Sequence, residues 1–192
     1  MKYQLGILGI GKMGGSILSG IIRSKIYNKE DILLYDVNED IKKQYIEDGF
    51  AFSNSEQDLI DKVNMLLLAI KPQMFKALEN IKVDNDKLVV ISIVAGKTIK
   101  DLEEIFGKQQ YIRVMPNTPS LIAKGATAIS KSDSVCEEVF KKVKNIFTSI
   151  GVVEEIDEAF MNEIIPVNGS MPAFVYYFVD AYIKDAVDRG ID

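Results

Sequence analysis

"GILGIGKMGGS", residues 6–16, lies between an apolar run and a run with helical spacing, and how it is read decides the fold. Residues 3–10 (YQLGILGI) suit a buried strand. Ile17, Leu18, Ile21 and Ile22 recur on one face of a helix expected over 13–26. Gly9-Ile10-Gly11-Lys12-Met13-Gly14 falls between the two as G-x-G-x-x-G. Gly9 permits the tight turn, Gly11 leaves the backbone bare toward a pyrophosphate, and Gly14 lets the helix close on the strand. A phosphate seated there meets free N–H groups at the positive end of the helix. A glycine turn that serves packing alone is the other reading. The context favours the ligand: strand before, helix after, and Asp36 about 20 residues past Gly14, where a ribose-binding carboxylate belongs.

Working outward, residues 31–36 form a second strand and 39–48 a helix, with a short extended piece at 50–52. Ser55 opens a helix over 55–61, with Asp58 completing a capping-type start. MLLLAI (65–70) is a third strand stopped by Pro72, and 73–80 a short helix. LVVISIV (88–94) is a fourth strand, 98–106 a helix capped by Thr98, YIRVM (111–115) a fifth strand and GATAIS (125–130) a sixth. Strands alternating with helices predict βαβ units, a parallel sheet with helices on both faces. From Glu154 onward the signals are helical, which puts a boundary near 153–157 and divides the chain into 1–156 and 157–192. Crevices beyond the carboxyl ends of such strands take ligands. Ala69, Ile70, Lys71 and Pro72, then Ala95 and Gly96, then Met115-Pro116-Asn117-Thr118-Pro119 therefore border the expected cofactor. The alternatives are a plain strand stop at Pro72 and an ordinary turn at 115–119.

The chain has 192 residues, a formal net charge of −5, one cysteine and no histidine. The acidic balance argues against nucleic acid as a partner. Without histidine there is no Ser-His-Asp triad, no His-ligated metal and no histidine acid, and with one cysteine, Cys136, no thiolate cluster. No metal site is expected. The apolar runs are short for a membrane span and no leader pattern opens the chain, so the expected location is the cytoplasm. Asp36 is followed by Glu39 and Asp40. At about 4 Å and an effective dielectric of about 20, two unit charges repel by roughly 4 kcal/mol; solvent reduces this to about 1–3 kcal/mol, or ten- to a hundredfold. A 2′-phosphate is disfavoured by that amount unless Lys42 and Lys43 fold back, so NADH is favoured over NADPH.

These segments taken together, Gly9-x-Gly11-x-Met13-Gly14, Ala69-Ile70-Lys71-Pro72-Gln73, Ser92–Gly96, Arg113–Pro119 and Gly169-Ser170-Met171-Pro172-Ala173, resemble Δ1-pyrroline-5-carboxylate reductases in order and spacing. The resemblance covers essentially the whole chain. It implies NAD(P)H-dependent reduction of a small cyclic imine to L-proline, the last step of proline biosynthesis. The fold class it implies is α/β: a Rossmann-type doubly wound sheet followed by the start of an all-helical dimerisation domain. It places cofactor contacts on Ile10 through Met13, on Asp36 and on Ala69 through Pro72, with Asn54 as a further candidate. The catalytic candidates are Glu158, facing the ring nitrogen, Asn117 and Ser170. Three departures stand out. Met171 replaces a glycine, Asp36 replaces the Ser or Asn followed by Arg of NADPH users, and family members continue past residue 192 into further helices with a Ser-Pro-Gly-Gly-Thr loop.

The absent histidine suits this chemistry, since an imine can be protonated before hydride arrives and the product amine keeps its proton. PAFVYYFVDAYIKDAV (172–187) is apolar around much of its circumference. A helix of that kind is covered on several sides, here by a second subunit or else by the sheet domain; a homodimer or higher homo-oligomer is expected. Two rivals remain. One is a carbonyl-reducing relative of β-hydroxyacid dehydrogenases, with Lys184 as its nearest acid; the other is a dinucleotide-binding module without catalysis.

Overall fold

The computed structural model describes residues 2–191. Eight strands form one sheet: β1 Tyr3–Leu8, β2 Ile32–Tyr35, β3 Ala51–Phe52, β4 Val63–Leu68, β5 Val89–Ser92, β6 Gln110–Met115, β7 Gly125–Lys131 and β8 Gly151–Glu155. Their order is β3-β2-β1-β4-β5-β6-β7-β8. Chain reversal about β1 makes this a doubly wound sheet, with its crevice beyond the carboxyl ends of β1, β2 and β4. Helices α1 (Lys12–Arg23), α2 (Glu39–Glu47), α3 (Glu56–Lys62), α4 (Ile99–Phe106) and α5 (Glu137–Thr148) connect the strands. A sixth, α6, runs over Met171–Asp188.

The strands are apolar because both sheet faces are covered. In β4, Met65 and Leu67 pack with α1 and α5, while Leu66 and Leu68 pack with α3 and α4 on the opposite face. The period of two is thus preserved inside a run that reads as continuously hydrophobic.

Three expectations change. The sheet is mixed: β6 and β7 pair antiparallel, with Met115 opposite Ala128, and the remaining pairs are parallel. A parallel return needs a crossover of a dozen or more residues, and the segment 116–124 makes instead a tight 3-10 turn, Thr118–Ile122. Helix α5 and strand β8 follow where no elements were expected. The helix buries Phe140, Val143, Ile146 and Phe147 on one stripe, a helical spacing legible in the sequence. The stretch expected as a helix at 73–80 is a 3-10 run, Pro72–Leu78, beginning with the Met74 N–H donating to the Lys71 carbonyl.

After Glu155 the chain crosses back over β6 and β7. Met161 packs with Met115 and Ala128, and a π-helical stretch, Ile165–Ser170, runs directly into α6.

Candidate functional site

Packing demands glycine at two of the three expected positions of the loop. Gly9 has φ +93°, and a Cβ there would stand 2.7 Å from the Ala69 carbonyl oxygen; a Cβ on Gly14 would stand 2.2 Å from the Gly9 carbonyl oxygen. Both positions exclude a side chain because strand, loop and helix meet. Gly11 differs: a Cβ there meets nothing within 4 Å. Packing does not demand glycine at 11, and a bare backbone facing open space is the cradle a pyrophosphate needs.

Helix α1 is also left uncapped. Asn38, Ser55 and Thr98 cap α2, α3 and α4 through their side chains, and all three helices carry acids in their first turn. Gly11 offers α1 no such bond, and the first turn of α1 holds no acid. Its orphan N–H groups and positive end therefore remain available to an anion.

A cleft of about 370 Å³ opens beside this loop. Gly9 and Gly11 of the loop, Asp36 and Val37 after β2, and Ala69, Ile70 and Lys71 after β4 line it, with Met74 of the 3-10 run. That volume suits one nucleoside half of a dinucleotide. Ile10, Gly11 and Lys12 also border a second cavity of about 540 Å³ between α1 and Ser120. The Asp36 carboxylate braces the glycine loop: Oδ2 accepts the Ile10 N–H at 2.7 Å and Oδ1 the Asn38 N–H at 3.0 Å. Lys42 does not fold back over it but pairs with Glu39 at 3.5 Å.

The other predicted cofactor residues are placed less directly. Met13 packs against the core beneath the loop. Pro72 starts the 3-10 run bordering the cleft. Ala95 and Gly96 are exposed beyond β5 and do not line the cleft. Asn54 is exposed, does not line it either, and donates its backbone N–H to Asp58. The residue from that segment that does line the cleft is Glu56. Sequence reasoning missed it because it sought an asparagine.

Of the catalytic candidates, Glu158 stands in a 3-10 turn over β6. Its Oε1 accepts from the Arg113 guanidinium at 2.7 Å and from the Ile99 N–H, at the start of α4, at 3.4 Å. Arg113 is 2 % exposed, Glu158 35 %. Arg113 also donates to Asn162 Oδ1 at 2.9 Å. A buried guanidinium with two oxygen partners is a satisfied charge, and it clamps the segment after β8 onto the sheet. Asn117 Oδ1 accepts the Ala126 N–H at 2.9 Å, and its amide donates to Asn168 at 3.2 Å. Asn168 in turn donates to the carbonyls of Met115 and Ala126. The two asparagines close the gap where β6 and β7 separate and hold the π-helical stretch against it. Ser170, at the end of that stretch, caps α6 with no side-chain bond. Met171, the first residue of α6, is exposed. Arg113, Asn162 and Asn168 were not anticipated as site residues. The arginine lay within a quoted motif, but nothing in its spacing announced a buried charge.

Among the described residues no group of three or more His, Cys, Asp or Glu side chains is arranged to hold a metal. No helix there is long and apolar enough to cross a membrane.

Residues 4–96 match the family described as NADP oxidoreductase coenzyme F420-dependent. A pyrroline-5-carboxylate reductase of Pisum sativum is 32 % identical over 99 % of this chain and 70 % of its own length. The crystal structure of 1-pyrroline-5-carboxylate reductase from Streptococcus pyogenes superposes with a TM-score of 0.88 at 29 % identity, covering 98 % of this chain and 71 % of that one. Pyrroline carboxylate reductase of Plasmodium falciparum, solved with NADP bound, gives 0.85 at 29 % identity, covering 100 % and 72 %.

Proposed function

The chain belongs to the pyrroline-5-carboxylate reductase family, and from that premise we propose that its cleft holds NADH while the end of β6 presents 1-pyrroline-5-carboxylate for reduction to L-proline. The observation that carries the cofactor half is the open, uncapped start of α1 behind Gly11, flanked by Asp36 and Lys71. The nicotinamide, when bound, supplies the hydride to the C=N carbon.

The chain's own residues then bind, orient and stabilise. Backbone N–H groups of the first turn of α1 take the pyrophosphate. Asp36 accepts from ribose hydroxyls with the lone pairs its two backbone donors leave free, and the acids around it favour NADH over NADPH. Glu158 faces the protonated ring nitrogen. Oε1 is held by Arg113 and Ile99, and Oε2 has no hydrogen-bond partner among the described residues, so Oε2 is the oxygen that receives the iminium N–H. A fixed carboxylate beside developing positive charge stabilises it without reorganising. Asn117 acts as a positioning residue, setting with Asn168 the place of Gly169 and Ser170. No side-chain acid is required, because the product amine retains its proton.

We assign residues 1–156 to cofactor binding and 157–192 to substrate and subunit contacts, in a cytoplasmic homodimer or larger homo-oligomer. Support for the assembly is α6, an 18-residue helix with no buried side chain. The test is oxidation of NADH that depends on pyrroline-5-carboxylate and yields L-proline one for one. Oxidation with a keto acid instead, or nucleotide binding without turnover, would refute the proposal.

A further inference from the structure

The two carboxylates that line the cleft are not equivalent. Asp36 commits one oxygen to each of two backbone amides and so serves as a brace for the glycine loop. Glu56, the first residue of α3, has no such commitment to the loop and lines the cleft together with Tyr35. Burial, and after it the nearby Glu56 carboxylate, push the Tyr35 phenol above its ordinary pKa, so the phenol stays neutral beside Glu56.

Topology fixes where that acceptor stands. Strand β3 pairs with β2 in parallel, Leu33 opposite Ala51 and Leu34 opposite Phe52. Their carboxyl ends therefore lie side by side, and β3 is the outermost strand. Glu56 follows β3 as Asp36 follows β2, one strand farther from β4. A nucleotide anchored at the start of α1 and running outward across the end of β2 has its adenosine ribose between the two. Lys71 is the one lysine or arginine among the residues that line this cleft, and it comes from the β4 side.

We propose that Glu56 is a second specificity-determining residue, which accepts a hydrogen bond from the adenosine ribose and repels a 2′-phosphate, so that NADH is selected over NADPH. The proposal rests on the cofactor reading above. Two carboxylates on opposite sides of the ribose leave a doubly charged phosphate no position distant from both, and Asp36 alone would leave the β3 side open.

The test is calorimetric titration of the whole chain with NADH and with NADPH, without substrate, on wild type, Glu56→Gln and Tyr35→Phe. Wild type binds NADH the more tightly. Glu56→Gln, which keeps the size of the side chain, tightens NADPH by about tenfold and leaves NADH within about threefold. Tyr35→Phe shifts the ratio the same way by less, and raising the salt concentration narrows the wild-type ratio. The proposal is overturned if Glu56→Gln moves both nucleotides equally or neither, or if wild type binds NADPH as tightly as NADH. If wild type binds neither nucleotide, the cofactor reading itself fails, a result distinct from a lost preference.

Discussion

The interior of the sheet and the surface of α6 are built from the same kinds of residue and reach opposite ends. Leu5, Ile7, Leu34, Leu66 and Ile91 are fully buried, whereas on α6 Phe174 is 67 % and Tyr177 78 % exposed. In the interior strands of the sheet, apolar faces find helices elsewhere in the chain, because strand and helix alternate and the crossovers return helices to the sheet. Helix α6 has no such sequence partner. It leaves the sheet by way of the π-helical stretch and presents aromatic side chains on all sides. Apolarity thus states that a surface will be covered. The order of elements along the chain states by what in the sheet, whereas no element among the described residues buries a side chain of α6.

That contrast can be broken first where packing is tightest. Gly14→Val drives a side chain into the Gly9 carbonyl and should cost about 3–4 kcal/mol of stability, read from urea unfolding, with dinucleotide binding lost. A melt indistinguishable from wild type would show that α1 does not lie as close to β1 as described. On the other side of the contrast, Phe174→Asp with Tyr177→Asp should leave the sheet intact and nucleotide affinity unchanged, while weakening self-association about a hundredfold, or about 2.8 kcal/mol. Sedimentation velocity reads this, and an unchanged oligomer would remove α6 from the interface. At the junction between the two regions, Glu158→Ala strips one partner from buried Arg113 and should cost about 2–3 kcal/mol, Asn162 retaining part of the pair. Glu158→Gln should cost less while still lowering kcat for imine reduction. If both variants unfold alike and turn over alike, Glu158 is neither clamp nor catalyst.

The smallest effect is in pH. Hydrogen bonds from Thr98, followed by the charge of Lys97, hold Asp101 below the usual carboxylate pKa. Hydrogen bonds from Lys62 and Ser53 do the same for Asp58. A pKa depressed by folding adds stability that is fully present above the unfolded carboxylate value of about 4 and is lost as pH falls through the folded one. Asp101→Asn should cost about 1 kcal/mol at neutral pH through the weakened cap and should flatten the decline below about pH 4. An acid limb as steep as that of wild type would put the titration elsewhere.

Much of the sheet was legible because its signals are local. β1, β4 and β5 are short apolar runs bounded by breakers, and Thr98 and Ser55 open helices where they fall. The glycine loop was legible at a finer level at Gly9 and Gly14, where a Cβ would meet the Ala69 and Gly9 carbonyls, while Gly11 faces open space. What escaped depended on distance. Whether β7 runs with or against β6 is decided by how few residues join them, not by the composition of β7. The stripe of α5 was written in Phe140, Val143 and Ile146 and was passed over. Glu56 enters the cleft because β3 lies beside β2, which only the sheet order reveals. Arg113 looks like a surface cation until Glu158 and Asn162, more than forty residues on, fold back to meet it.

The central claim is that the bare backbone at Gly11 exists for a dinucleotide and not for packing. Calorimetric titration of NADH into wild type and into Gly11→Glu, with melting curves on the same samples, tests it most directly. The account predicts saturable binding at one site per chain for wild type, none for the variant, and matching melts, since a side chain at 11 meets open space. Equal binding by both proteins, or a variant that has lost its fold along with its ligand, would contradict it.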